Sequence, residues 1–223
     1  MKFSDRTLTI LKNFATINPS LVMHPGKEIR TMSLHKNVMA VAQIEDEIPS
    51  QACIYDMSRF LSVYGLYKSP DIEFNERSFI IKEGKRKTNY IFADPSMVVA
   101  PPKDKKISVP NPEVEVSVEW DDLQAVIKAS GVLQLPEIAF VGEEGTLYLR
   151  AIDSSNPSAD TFGVELGETN DEFQLIFKNE NLKMLPADYK VKLSSKGISE
   201  FQCDDIKYFI AIESKSSFNK GEE

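Results

Sequence analysis

Positive charge is the first thing in short supply. Thirty-four Asp and Glu against 26 Lys and Arg leave a net charge of -8 over 223 residues. A protein that grips nucleic acid by blanket neutralisation of phosphates shows a basic surplus, so that class is excluded in its simple form. Cysteine is almost as scarce. Cys53 and Cys203 stand in opposite halves, which suits reduced thiols in a cytosol better than a secreted disulfide framework. The two histidines, His24 and His35, have no CxxC or third ligand beside them, so no metal set is expected. The GxxxxGK phosphate loop, HExxH and GxSxG are all missing, and with them the signatures of ATP hydrolysis, zinc proteolysis and serine hydrolysis. No cofactor and no catalysis are expected. No stretch of about 18 apolar residues occurs, and MKFSDRTLTILKNF lacks a signal core, so a soluble intracellular protein without a membrane segment is expected.

What is present is an ordinary globular composition, 42% hydrophobic and 27% charged, long enough for two domains of roughly 100 residues. Residues 93–112, ADPSMVVAPPKDKKISVPNP, hold five of the twelve prolines. Neither helix nor central strand persists through such a stretch, because proline fixes φ, lacks a donor and pushes its predecessor to extended geometry. It reads as a linker carrying an apolar piece, Met97, Val98, Val99 and Ala100, that a purely solvated spacer does not need.

Before it, Ser4 caps a helix in which Phe3, Thr7, Ile10, Phe14 and Ile17 recur at helical spacing. LVMH, EIRTMSL, VMAVAQI and ACIY follow as strands, Asp56 caps the short helix MSRFLSVYGL, and DIEF, SFIIK and TNYIFA complete the half. After it, EVEVSVE alternates as a strand and WDDLQAVIKASG returns to helical period. EIAFV, TLYLRAI, DTFGVEL and EFQLIF are strands, Asn179 caps a short helix ENLKML ended by Pro186, and DYKVKL, SEFQC and KYFIAI close the chain. The series of helix, four strands, helix and three strands thus occurs twice. Residues 54–61 align with 176–183, and Ile10-Leu11-Lys12 with Val126-Ile127-Lys128, so the order reads as an internal duplication. The fold class is α+β: two duplicated domains of antiparallel sheet with two helices each, spanning 1–95 and 113–223 around a linker at 96–112.

LKNFATIN at 11–18, the IYD of Ile54 to Asp56 before a short helix, and ADPSMVVAP at 93–101 resemble the replication sliding clamps of large tailed bacteriophages. The likeness runs on through VIK in the third helix and NLKMLPADYKVKL. That family is similar in fold to proliferating cell nuclear antigen. The resemblance implies a homotrimer closed head to tail into a ring that encircles double-stranded DNA without sequence preference. It also implies an ATP-driven clamp loader, a DNA polymerase held by its C-terminal tail near the linker, a contribution to late transcription, and residence in the cytoplasm of an infected bacterium.

Charge and topology then agree. Three chains carry -24, three times -8, yet a ring needs only not to fall off, with sparse inner cations acting across a Debye length of about 8 Å. The channel cations are expected at Arg6 and Lys12 of the first helix, Arg59 of the second, Lys128 of the third and Lys183 of the fourth, with Asp121 and Asp122 placing acid beside Lys128. A partner pocket is expected at Met97, Val98, Val99 and Ala100, floored by Tyr208 and Phe209. Family position joins residues 88–93 of one subunit to 160–166 of the next, through Tyr90, Phe92, Phe162 and Val164. Three rivals stand beside this reading. One is an open, non-ring processivity factor, which needs the cationic surplus this chain lacks. Another is a generic interaction module of the same fold. The third is a hydrolase using Asp153 and Asp160, paired acids with no pocket signal between them.

Overall fold

The computed structural model describes residues 1–102 and 107–221. The chain divides into two compact units, Met1–Lys105 and Lys106–Glu223. The middle of the expected linker, 103–106, lies outside the described residues.

In the first unit, helix α1 (Asp5–Ile17) begins where Ser4 Oγ accepts from the Thr7 amide at 3.2 Å, and it buries Thr7, Ile10, Leu11, Phe14 and Ile17 on one face. Strands β1 (Leu21–Met23), β2 (Gly26–Met32), β3 (Val38–Ile48) and β4 (Ala52–Ile54) follow. Helix α2 (Met57–Tyr64) is capped by Asp56, whose carboxylate accepts from the Arg59 amide at 2.8 Å. Strands β5 (Asp71–Phe74), β6 (Ser78–Glu83) and β7 (Arg86–Ile91) come next. The strands pair β1 with β4, β2 with β3, and β5-β6-β7 in sequence order, all antiparallel. Phe60 of α2 meets Phe79 of β6 at 5.3 Å and Tyr90 of β7 edge-on at 5.4 Å, and Phe79 also meets Phe92 at 4.6 Å. This aromatic cluster fixes α2 over the β6–β7 side of the sheet.

The second unit repeats the scheme. It contains β8 (Val114–Val118), α3 (Trp120–Leu133), β9 (Glu137–Glu143), β10 (Thr146–Ile152), β11 (Phe162–Glu168), β12 (Glu172–Lys178), β13 (Tyr189–Ser194), β14 (Ile198–Cys203), β15 (Ile206–Ala211) and β16 (Ser217–Asn219). Here β9 pairs with β12, β10 with β11, and β13-β14-β15 in order, as their counterparts do in the first unit. Even β8 has an equivalent. It pairs with β13, while in the first unit Met1 and Ile72 of β5 exchange reciprocal backbone hydrogen bonds of 2.8 and 2.7 Å. The duplication read from element order is therefore a duplication of strand pairing.

One expected element fails. ENLKML forms only a three-residue 3-10 turn, Asn179–Asn181, so the described residues of the second unit contain one α-helix instead of two. The Asn179 amide group donates to Ser130 Oγ at 3.0 Å and to the Leu135 carbonyl at 2.6 Å, near the end of α3, and so does not cap a helix of its own. Downstream, the Leu185 amide donates to the Tyr208 hydroxyl at 3.1 Å and the Leu185 carbonyl accepts from the Tyr189 hydroxyl. Those backbone groups are satisfied by tyrosines, and Pro186 forbids the next turn.

Candidate nucleic-acid and partner interfaces

On the polar face of α1, Arg6, Thr9, Asn13 and Thr16 step by three and four, with Lys12 beside them. The Thr9 and Thr16 hydroxyls fold back onto the carbonyls of Asp5 and Asn13 at 2.9 and 2.7 Å. The face therefore offers cations over a surface of otherwise engaged short side chains. Lys12 is exposed and Arg6 half-buried; Arg59 is exposed on α2. The second unit is poorer in cations. Lys128 is exposed but donates to Gln124 at 2.6 Å, one turn back on α3 and near Asp121 and Asp122. Lys183 is exposed, but it follows the 3-10 turn and is not carried on a helix, which corrects the expectation of a fourth α-helical cation.

The linker begins firmly. The Ala93 amide donates to the Cys53 carbonyl at 2.9 Å. Asp94 then caps a 3-10 turn, Pro95–Met97, by accepting from the Ser96 hydroxyl at 2.6 Å and the Ser96 amide at 2.8 Å. Those two bonds, the hydroxyl first, hold its carboxyl below the usual carboxylate range. Met97 is 61% exposed, Val99 is exposed, and Val98 and Ala100 are half-buried. Two side chains hold the next residues. Asn18 donates to the Val99 carbonyl at 2.9 Å, and Arg30 donates to the Pro102 carbonyl at 3.2 Å while pairing with Glu28 at 2.6 Å. Beside this strap lies a cavity of about 130 Å³ lined by Val22, His24, Pro25, Glu28, Arg30, Ala100 and Pro101. The expected floor needs correction. Tyr208 is fully buried, its ring against Tyr189 and its hydroxyl on the Leu185 amide, and Phe209 is also buried. Consecutive strand residues point to opposite faces, so the two could not floor one pocket together, and packing buries both.

The edges proposed for subunit joining are edges. Among the described residues β7 pairs only with β6, and β11 only with β10. The side chains on β7 differ from expectation by one position. Tyr90 turns inward, its ring on Phe60 and its hydroxyl donating to the Asp56 carbonyl at 3.2 Å, and Phe92 packs on Phe79. Ile91, between them, is 64% exposed. Burial by the aromatic cluster pushes the Tyr90 hydroxyl above its usual range. On β11, Phe162 is exposed and Val164 half-buried. Arg150 lies across Gly163, where a Cβ would come within 2.8 Å of its Cγ, and its guanidinium covers the Tyr148 ring at 4.1 Å. Exposed apolar side chains also end the flanking helices: Leu66 just past α2, Val132 at 80% exposure and Leu133 on α3, which packs against β10 and β11.

Comparison with known proteins agrees with this geometry. A family model described as DNA polymerase processivity factor matches residues 3–100, and one described as gp45 sliding clamp, C terminal, matches residues 115–214. The sliding clamp of Vibrio phage KVP40 is 36% identical over 222 residues, covering 96% of this chain and 99% of that protein. That of Enterobacteria phage T4 is 32% identical over 228 residues, covering 97% and 99%.

The chain belongs to the phage sliding-clamp family of DNA polymerase processivity factors.

The sliding-clamp fold extends to distant structures. The A. fulgidus PCNA bound to the C-terminal region of FEN-1 superposes with a TM-score of 0.71 at 13% identity, covering 97% of this chain and 100% of that one. PCNA from Thermococcus kodakaraensis gives 0.65 at 14% identity, covering 96% and 99%. The Helicobacter pylori beta clamp bound to a DNA ligase peptide gives 0.63 at 13% identity, covering 96% of this chain and 67% of that one. At these identities the likeness speaks for the fold. Within this clamp no helix of the described residues is long and apolar enough to cross a membrane. Among the same residues no group of three or more His, Cys, Asp or Glu is placed to hold a metal. Asp153, one acid of the hydrolase rival, is engaged in its own turn, accepting from the Ser155 amide at 2.9 Å.

Proposed function

We propose that three copies close head to tail into a ring around duplex DNA and tether the phage DNA polymerase for processive synthesis, β7 of each copy joining β11 of the next. The observation that carries this is the free outer edges of β7 and β11 among the described residues, each beside a helix ending in exposed apolar residues. Their charges favour unlike edges: Lys85 directly precedes β7 and Arg86 and Lys87 begin it, whereas β11 carries Glu165 and Glu168. Such complementarity selects head-to-tail contacts over like-with-like pairing, and a heterologous contact that closes makes a ring. The polymerase's C-terminal tail docks on Met97 and Val99 at the start of the linker, and an ATP-driven loader places the ring on DNA. Arg6, Lys12, Arg59, Lys128 and Lys183 face the hole. Sparse cations suit sliding, because many bidentate phosphate contacts would pin the ring. Residues 1–95 and 113–223 serve as the two ring domains, with 96–112 between them. The protein works in the cytoplasm of the infected bacterium, and we extend the proposal to co-activation of late transcription through factors docking on the linker surface.

The test combines mass with activity. Light scattering should give three times the 25.1 kDa chain mass, and polymerase with loader and ATP should extend a primed circle processively only when the protein is present. A monomer throughout the micromolar range, or extension indifferent to the protein, refutes the proposal.

A further inference from the structure

Asn18 ends α1, the helix that carries Arg6 and Lys12, and its side chain reaches far along the chain. It is 1% exposed, and its backbone N–H still closes the helix on the Phe14 carbonyl at 2.9 Å. The side-chain NH2 donates to the Met32 carbonyl at 2.7 Å, at the end of β2, and to the Val99 carbonyl at 2.9 Å in the linker. The side-chain oxygen accepts from the Ser20 amide at 2.9 Å and the Ser20 hydroxyl at 3.0 Å. All four hydrogen-bonding sites of the amide are therefore filled, and the partners fix which end is nitrogen, since both carbonyls demand a donor. The next residue joins in: the Pro19 carbonyl accepts the Met57 amide at 2.7 Å, at the start of α2.

We infer that Asn18 is a positioning residue for partner docking: its amide clasps the Val99 carbonyl so that Met97 and Val99 stay presented at the surface, and it ties that posture to the end of α1. This rests on the proposed docking of the polymerase tail beside the linker. The geometry favours a fixed strap over a loose one. Val99 is held from within by Asn18, Ala93 by the Cys53 carbonyl and Pro102 by Arg30, which leaves the side chains of Met97 and Val99 facing out. A surface ordered in advance loses less entropy when a partner binds. A buried amide with every site satisfied has no near-equivalent arrangement to slip into.

The experiment uses Asn18→Ala in the full chain, a fluorescent peptide copying the C-terminal residues of the phage's own DNA polymerase, and hydrogen exchange. Expected are an unchanged oligomer mass, exchange of the Met97 and Val98 amides at least tenfold faster with α2 amides unaltered, and peptide affinity at least tenfold weaker. Unaltered exchange at Met97 and Val98 overturns the inference. Exchange accelerated equally across the whole first unit also overturns it, since Asn18 would then be only a structural cap. Faster linker exchange with undiminished affinity overturns the inference while leaving the docking site standing; a peptide that binds neither the variant nor the unaltered protein removes the docking site instead. If Asn18→Ala does not fold, the wild-type protein decides. Saturating peptide should slow exchange of the Asn18 side-chain NH2 at least tenfold, and no change overturns the inference.

Discussion

Replacing Ile91 by glutamate attacks the proposed joint between subunits without touching the core behind it. Ile91 is 64% exposed on an unpaired edge, while its neighbours Tyr90 and Phe92 are packed inward. Full burial of an isoleucine side chain is worth about 1.5–3 kcal/mol, so covering this exposed share contributes roughly 1–2 kcal/mol to each contact. A carboxylate there would face an edge that carries Glu165 and Glu168, and like charges brought together at an interface cost several kcal/mol more. A loss of at least about 3 kcal/mol per contact corresponds to about a hundredfold weaker association at every joint. Sedimentation velocity across the micromolar range should show a trimer for the unaltered protein and a monomer for Ile91→Glu. The near-ultraviolet circular dichroism of the aromatic cluster should be the same for both. Tyr90→Phe is the control: it loses one hydrogen bond to the Asp56 carbonyl, worth about 1 kcal/mol, and should remain trimeric. Should Ile91→Glu sediment as a trimer at the same concentrations as the unaltered protein, β7 is not the joint.

Other consequences can be checked alongside. Gly142→Ala drives a Cβ into the Asp171 carbonyl and to 2.6 Å from the Phe173 ring, an overpacking that should cost about 1–3 kcal/mol in urea unfolding; an unshifted midpoint would contradict the packing. Asp94 has a lowered carboxyl pKa, so its cap is complete above the ordinary aspartate value of about 3.9 and is lost as pH falls through the lower folded value. Protection of the Ser96 amide should accordingly be flat down to about pH 5 and vanish only well below 4; loss near neutrality would show the cap is not formed by a carboxylate. Removing Arg6 and Lys12 together should slow loading at raised salt yet leave residence on a closed circle within about twofold, because loose contacts across a Debye length are screened and do not retain the ring. A tenfold shorter residence would mean that charge, not topology, holds the DNA.

Much of the fold could be read directly from the chain because its signals are local. Helical spacing after Ser4 and Asp56 marked α1 and α2, and runs with period two or continuous apolar character marked every strand except β16, which is only three residues long. The end of β3 was also hidden, since Glu45, Asp46 and Glu47 look like a turn, although Asp46 is used by the Ser4 amide at 2.8 Å. ENLKML misled because its cap residue spends its amide on Ser130 and Leu135, partners more than 40 positions away. On β7 the information was present but misapplied: Thr88, Tyr90 and Phe92 share one face, and aromatics at alternate positions mark the buried side, leaving Ile91 outward. Tyr208 and Phe209 illustrate the reverse error, aromatic residues assigned to a surface that the core needed. Asn18 looked like a plain helix end. Its role depends on Met32 and Val99, 14 and 81 positions distant, and no local pattern announces such a contact.

The central claim is that an acidic chain stays on DNA by enclosing it. The direct measurement loads labelled protein onto closed circular DNA with loader and ATP, removes free protein, cuts half of the sample once with a restriction enzyme and compares retention at raised salt. The account predicts persistence on the intact circle and rapid loss from the cut ends. Equal loss from both forms, or equal retention on both, would contradict it.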